Sequence, residues 1–243
     1  MKRLLDLFGA FFGLLVGSPI LVTVMIIVWF QDFKTPLYIA PRVGRFGQGF
    51  RMIKLRSMIV DADKSGVNST SAKDTRITPI GHFIRKFKLD ELTQLWNVLI
   101  GDMSLVGPRP NVRSETEGYT SVEKNLLSVR PGITDFSSIV FSDEGSILEN
   151  MENPDLAYNQ LIRPWKSRLG LIYIENQTLL LDLQLIFYTI VGIVSKKKVL
   201  IWVAIKLQNL NVDENVVAMS ARNLELYPFP PPGTDKIVVE KKL

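Results

Sequence analysis

Apolar positions are concentrated at the start of the chain. Leu7 to Gln31 carries no charged side chain over 25 residues, between Lys2-Arg3-Asp6 and Asp32-Lys34. A helix needs about 20 apolar residues to cross a bilayer, so this run is long enough. It exceeds the ~7–15-residue apolar core of a cleaved signal, and no A-x-A site follows it. Gly17-Ser18-Pro19 interrupts the run near its centre. Proline removes one helix hydrogen bond, crowds the carbonyl four residues back and restricts the residue before it. The pattern predicts two half-helices, about Leu4–Gly17 and Ser18–Phe30. At ~1.5 Å per residue each is about 20 Å long, short of the hydrocarbon core. Two geometries follow: a kinked helix that crosses, or a sharply bent one that enters and returns.

Beyond the run the periodicity changes. Residues 37–58 read as extended chain: Tyr38-Ile39-Ala40-Pro41, a turn over Gly44–Gly49, then Phe50 to Met58. A period of two places Lys54 and Arg56 on one strand face, with Ile53 and Leu55 on the other. Residues 61–75 are rich in Ser, Asp and Lys and predict a mobile surface loop. Thr78-Pro79 has the form of a helix start, with Thr as N-cap and Pro at the first position, running to about Lys86. Leu92, Leu95, Trp96, Leu99 and Ile100 then recur at helical spacing, with Asp90 and Glu91 in the first turn and Gly101 as a stop. Gly107-Pro108-Arg109-Pro110 is a stiff loop. Leu183–Val194 is apolar but too short to span, and Lys196-Lys197-Lys198 follows it. It fits either an interfacial helix near anionic lipid or a buried core helix. Tyr227 to Leu243 reads as an extended tail, and no internal repeat is visible.

Composition narrows the chemistry. The 243 residues include no cysteine, which excludes disulfides, thiolate zinc sites and a cysteine nucleophile. The single histidine, His82, argues against a His-rich metal centre or a Ser-His-Asp triad, and its place in a short helix suits a structural role. The net charge of +5 is unevenly spread: residues 33–110 hold 13 Lys/Arg against 6 Asp/Glu. Such a basic block suits lipid headgroups, a phosphorylated substrate or nucleic acid. Nucleic acid fits least, because the block lacks interleaved aromatics. Gly44–Gly49 has the form G-x-x-G-x-G, which is neither the dinucleotide fingerprint nor a Walker loop.

Asp90-Glu91 is the candidate centre of chemistry. Acids at a helix start are favoured by about 0.3–1 kcal/mol through the helix dipole alone, so the pair by itself says little. Its neighbours add meaning: Arg85, Lys86 and Lys88 precede it, and Arg109 sits on the proline-braced loop after it. Mg²⁺ prefers one or two carboxylates plus phosphate oxygens, and an Arg fork matches phosphate bidentately. The helix start and the cations are expected to hold Asp90 ionised, as a carboxylate nucleophile requires.

Several segments together resemble a known family. They are Phe50–Met58, Ile84-Arg85-Lys86, Leu89-Asp90-Glu91-Leu92-x-Gln94-Leu95-x-Asn97-Val98-Leu99, Gly101–Pro110 and Arg130-Pro131-Gly132-Ile133-Thr134. The chain is similar over about residues 1–190 to the bacterial sugar transferases, the monotopic polyprenyl-phosphate phosphoglycosyl transferases. The resemblance implies a re-entrant anchor broken at Ser18-Pro19, with Asp90 as nucleophile on the sugar-bearing phosphate. It also implies Glu91 as acid/base or metal-placing partner, Mg²⁺ held at Asp90 and Glu91, and Lys54, Arg85 and Arg109 on substrate phosphates; Arg56, on the strand face of Lys54, is expected to join them. After Pro-Gly-Ile-Thr many members continue with Trp-Ala-Gln-Val and an Asn-Gly-Arg motif. This chain has Asp135-Phe136-Ser137-Ser138-Ile139 and then Asp143-Glu144 instead.

The expected architecture is α/β and mostly helical: a small monotopic membrane-embedded catalytic domain with an N-terminal re-entrant helix and interfacial amphipathic helices. Its expected parts are a membrane helix over 1–34, a catalytic domain over 35–195 and a C-terminal interfacial segment and tail over 196–243. Lys2-Arg3 favours a cytoplasmic N-terminus, and a nucleotide-sugar substrate confined to that side selects re-entry over crossing. The expected partners are a UDP-sugar, polyprenyl (undecaprenyl) phosphate and lipid at the bacterial inner membrane, with no nucleic acid, and a homodimer compatible with the sequence. The rival reading is a membrane-tethered module that holds an anion without chemistry.

Overall fold

The computed structural model describes residues 1–65, 70, 71 and 73–239. Residues 66–69 and 72 of the polar loop, and the last four of the tail, lie outside the described residues.

The apolar run forms one helix, α1 (Lys2–Phe30), with Pro19 inside it. Two half-helices were the expectation, and the Ser18 hydroxyl supplies the reason for the difference. Pro19 has no N–H for the Leu15 carbonyl, and Ser18 Oγ donates to that oxygen at 2.9 Å. A side-chain hydroxyl that satisfies the freed carbonyl lets an apolar helix carry a proline.

α1 is fastened at both ends to the same body. At its start Lys2 Nζ donates to Asp182 (2.7 Å), the Tyr173 hydroxyl (2.9 Å) and the Val106 carbonyl (3.0 Å). Arg3 reaches the Leu99 carbonyl at 3.1 Å. Asp6, only 3% exposed, accepts from Ser104 Oγ and the Leu105 N–H, both at 2.9 Å. At its other end the Arg56 guanidinium grips Asp32 with both terminal nitrogens, one of them at 2.7 Å. Between these ends Ala10, Val24 and Val28 are buried against the domain. The opposite face shows Phe8, Phe11, Phe12, Val16, Ile20 and Phe30 to the outside.

After α1 comes an antiparallel hairpin of β1 (Leu37–Val43) and β2 (Gly49–Leu55), in register from Leu37 opposite Leu55 to Val43 opposite Gly49. Helix α2 (Pro79–Lys86) starts as its sequence predicts, with Thr78 Oγ1 accepting from the Gly81 N–H at 3.0 Å. The amphipathic segment is divided at Thr93 into α3 (Leu89–Leu92) and α4 (Gln94–Ile100). Gly101 ends α4 at φ 99°, a left-handed conformation that side chains disfavour. Trp96 and Ile100, from the apolar stripe, are 51% and 56% exposed beside α1, while Leu95 and Val98 are buried.

A short parallel pair, β3 (Ser104–Val106) with β4 (Gly132–Thr134), brackets the Pro108-Arg109-Pro110 loop. The two connections touch at Gly107 and Gly132, where a Cβ on Gly132 would lie 2.0 Å from the Gly107 nitrogen. Only glycine permits that approach.

The remaining elements are α5 (Arg113–Glu117), α6 (Phe136–Val140), α7 (Glu144–Ile147), α8 (Pro154–Ala157) and α9 (Arg163–Glu175), then α10 (Leu179–Val194), α11 (Lys196–Asn209) and α12 (Glu214–Ser220). Their core is centred on Trp165, Tyr173, Phe136, Leu185 and Val203. α10 combines both readings of its sequence. It buries Leu181, Asp182 and Leu185 and exposes Leu183, Phe187, Ile190 and Ile193. α11 and α12 add Val199, Leu207, Val216 and Met219 to the same core, so packing is continuous across residues 195 and 196. The tail after α12 has no regular structure, yet it is docked: Phe229 stacks on Trp165 at 4.4 Å, and Arg168 donates to the Pro230 carbonyl at 2.8 Å.

Asp6 is the buried fastening with the least alternative. Asp6→Ala leaves the Ser104 hydroxyl and the Leu105 N–H without their acceptor, at about 1–3 kcal/mol for a buried unsatisfied group. Denaturant unfolding in detergent should show a loss of that size, against about 1 kcal/mol for Ser18→Ala, whose carbonyl lies on an exposed face.

Candidate functional site

The site is assembled where β2, the α2–α3 turn and the β3–β4 loop meet. Lys88 takes a left-handed conformation (φ 54°, ψ 29°) between α2 and α3. That turn brings Asp90 and Glu91 over β2. The strand is held in position by two side chains. Asn97, fully buried, accepts from the Ile53 N–H at 2.9 Å and donates to the Arg51 carbonyl at 2.8 Å. Thr93 Oγ1 donates to the Ile53 carbonyl at 2.9 Å. Both bond the β2 edge that β1 leaves free, and so fix Lys54 opposite Asp90.

The resulting geometry is a set of paired charges. Lys54 Nζ lies 3.8 Å from Asp90 Oδ2, and Arg109 lies 2.9 Å from Glu91 Oε1. Arg85 hangs from the last turn of α2, donates from Nε to Ser57 Oγ at 3.0 Å, and feels the charge of Asp90. Lys54, Arg85, Arg109, Asp90 and Glu91 are therefore brought together. Arg56 is not. β2 ends at Leu55, and the next residue turns back to the Asp32 carboxylate at the foot of α1. Its buried guanidinium is committed to that ion pair with an exposed carboxylate. Ser18 and Pro19 also lie apart from the site, within α1.

Burial and charge divide the two carboxylates. Burial pushes Asp90 above the ordinary carboxylate range, with Lys54 opposing and the negative Glu91 reinforcing the rise. Glu91 pays the same desolvation, but Arg109, Lys88 and Lys54 outweigh it and hold the group at about 2. Arg109 is raised in turn, chiefly by Glu91. Burial and the nearby Arg109 lower Lys54 to about 8, against the pull of Asp90 and Glu91. The expectation that cations keep Asp90 ionised thus meets a stronger opposing desolvation. A pair of titratable groups driven apart in this way is the usual mark of divided roles in catalysis.

The carboxylates offer hard oxygen donors for a cation, but Glu91 is engaged by Arg109. No group of three or more His, Cys, Asp or Glu side chains suited to a metal exists among the described residues. Such a donor set fits Mg²⁺ shared with phosphate oxygens rather than caged by protein alone.

Residues that the sequence reading passes over complete the surroundings. Asn97 is the clearest: its amide interrupts the run Leu95-Trp96-Asn97-Val98-Leu99, and a polar residue amid apolar neighbours was the available signal. Glu144, at the start of α7, pairs with Lys166 at 2.6 Å and acts electrostatically on Arg109. No spacing in the sequence connects those three.

An apolar helix long enough to cross a membrane and a cation-lined carboxylate pair on one body point to membrane association and to a site suited to anionic groups. The chain belongs to the bacterial sugar transferase family, which matches residues 1–196. It is 35% identical over 214 residues to the UDP-galactose-lipid carrier transferase of Erwinia amylovora, covering 81% of this chain and 41% of that one. It is 34% identical over 193 residues to the UDP-glucose:undecaprenyl-phosphate glucose-1-phosphate transferase of Klebsiella pneumoniae, covering 78% and 39%. The exopolysaccharide production protein ExoY of Sinorhizobium fredii is 34% identical over 204 residues, covering 78% and 83%. The chain thus spans about two fifths of the length of the first two relatives and most of the third.

Lys54 makes the site's charge dependent on pH. As pH rises through about 8 its ammonium loses a proton and the positive charge facing Asp90 falls. Substrate capture, read as kcat/KM, should decline through that range, because this quantity reports the free enzyme. Lys54→Arg stays charged there, so a pH profile of that variant should lack the alkaline decline.

Proposed function

We propose that the protein transfers a sugar 1-phosphate from a UDP-sugar to polyprenyl phosphate, with undecaprenyl phosphate as the natural carrier, giving a polyprenyl diphosphate sugar and UMP. The reading is carried by one observation: Asp90 faces Lys54 while its neighbour Glu91 is neutralised by Arg109. Family membership and the substrates named for the relatives support it. A module that only held an anion would gain nothing from two desolvated carboxylates set among its cations, so the tethered-binding reading is the weaker one.

The residues fit a two-step displacement. Lys54, Arg85 and Arg109 receive the diphosphate; Arg109 suits this through its fork. Mg²⁺ would be held at Asp90 and Glu91 and, when bound, neutralises phosphate charge. An Asp90 carboxylate oxygen forms a bond to the sugar-bearing phosphorus as the P–O bond to UMP breaks, and UMP leaves with the electron pair. A phosphate oxygen of the acceptor then bonds to that phosphorus, and Asp90 is released as carboxylate. Splitting one displacement into two is the advantage of covalent catalysis. Glu91, ionised and paired, orients Arg109 and the cation rather than attacking.

The topology belongs to the same proposal. Both ends of α1 are tied to one domain, at Asp182 and Ser104 near the start and at Arg56 near the end. A helix held in this way cannot deliver one end across a bilayer without its domain. α1 therefore lies in one leaflet with its exposed face in lipid, a monotopic arrangement with the domain in the cytoplasm.

Mixing the protein with a UDP-sugar and Mg²⁺, without lipid acceptor, should release UMP stoichiometric with enzyme and add the mass of a phosphosugar to the intact chain. Asp90→Asn should abolish both, while Glu91→Gln should slow turnover and still show labelled enzyme. Normal product formation with acceptor, but no adduct under any trapping condition, would leave Asp90 as a cation ligand only.

A further inference from the structure

A second group of cations lies beside the dyad and is not used by the donor phosphates. Asp143, the residue before α7, holds Lys196 at 2.5 Å and Arg222 at 3.2 Å on the same oxygen, Oδ1. Lys196 opens α11 and Arg222 follows α12, so two distant elements converge on one carboxylate. The Lys196 ammonium nitrogen is shielded from solvent. Burial lowers its proton affinity; Asp143 opposes this, while Arg222 and Lys88 add to it. Lys88 also acts on Glu91, which places it between the dyad and this cluster. Glu144, next to Asp143, acts on Arg109. The charges thus run in a ring from Lys88 through Glu91, Arg109 and the Asp143-Glu144 wall to Lys196. On the Lys196 side of that ring, Lys196 and Arg222 share the Asp143 carboxylate, and Lys88 adds a third positive charge close enough to act on Lys196.

The surroundings of this cluster are apolar and open. Lys196 lies two residues after the exposed end of α10, where Val194 is 90% exposed and Ile193 is also exposed. Lys88 comes immediately after Phe87, which with Phe83 forms an exposed aromatic pair 4.8 Å apart. A phosphate monoester on a long apolar chain matches such a place: its tail has apolar surface to follow, and its dianionic head meets uncompensated positive charge.

We propose that Lys196 and Arg222, held together by Asp143, form with the nearby Lys88 a second anion site that receives the phosphate of the polyprenyl acceptor. The proposal rests on the transferase reading above and adds to it where the acceptor sits. From there an acceptor oxygen attacks the phosphorus carried on Asp90. Arg222 lies beyond residues 1–196 that the family matches, so part of the site belongs to this chain's own C-terminal extension.

The test uses the full chain in detergent–lipid micelles, with whichever donor of a UDP-sugar panel the wild type turns over. Lys196→Gln and Arg222→Gln should each raise KM for polyprenyl phosphate about tenfold, as loss of one charge-assisted contact predicts. KM for the UDP-sugar and the UMP burst without acceptor should stay within about twofold, a change under ~0.5 kcal/mol. Arg222→Lys should recover most of the acceptor affinity, and this variant guards against a folding defect. The double variant Lys197→Gln with Lys198→Gln should leave acceptor KM unchanged, as should binding to vesicles of anionic phospholipid in Lys196→Gln. An unchanged acceptor KM in Lys196→Gln and Arg222→Gln overturns the site. So does an equal rise in both KM values, or a fall in vesicle binding that tracks the loss, which would assign the cluster to bulk headgroups. A wild type that releases no UMP from any UDP-sugar defeats the transferase reading instead, and is told apart because it needs no variant.

Discussion

The fastening of α1 to the domain at both of its ends is the constraint on which the rest depends. Lys2, Arg3 and Asp6 are tied to residues 99–106 and 182, and Asp32 is tied to Arg56. Each tie spends a polar group inside or beside an apolar helix, where an unpaired one is costly. The helix cannot be moved without undoing an ion pair to a buried Asp182 at one end or to a buried Arg56 at the other. Because α3 and α4 pack on the same helix and β2 packs on both of them, the dyad stands at a fixed depth relative to the apolar face of α1. A lipid-bound acceptor and a water-soluble donor could then meet at one place.

Within the site, the balance of desolvation against pairing decides the roles. Glu91 and Arg109 are nearly matched and serve each other. Among the described residues the ion pair of Asp90 is with Lys54 at 3.8 Å, too far for a hydrogen bond; Arg109 and Arg85 act on it from further away, and burial wins. A carboxylate whose proton affinity is raised by burial is a stronger nucleophile in its charged form. The same logic extends to Lys54, lowered to about 8 by its surroundings. A raised Asp90 facing a lowered Lys54 is the kind of perturbed pair that marks a functional site.

Much of this was legible in the sequence where local rules act alone. Thr78-Pro79 predicted the start of α2, Gly101 the end of α4, and the hairpin turn fell between Gly44 and Gly49 as expected. Lys54, Arg85, Asp90, Glu91 and Arg109 do converge, although only resemblance linked the strand residue to the helix residues. What failed were inferences that needed tertiary partners. Arg56 shares strand parity with Lys54, yet Asp32 claims it. Pro19 was read as a break, because the repair of its orphaned carbonyl by Ser18 is invisible to a propensity rule. Trp96 and Ile100 fit a core stripe by spacing, but they face outward beside α1. The cluster at Asp143 joins residues 79 positions apart, and no periodicity could reveal it.

The central claim is that α1 holds its two ends, and the site, on one side of the membrane. The chain has no cysteine, so single thiols can be introduced cleanly. One would be inserted between Met1 and Lys2, and another made by Lys34→Cys, each in its own variant, with a membrane-impermeant maleimide applied to intact cells and again after permeabilisation. The account predicts that both thiols resist labelling in intact cells and react fully once the membrane is opened. Labelling of the thiol at 34 alone in intact cells would mean that α1 crosses the bilayer, and would contradict it.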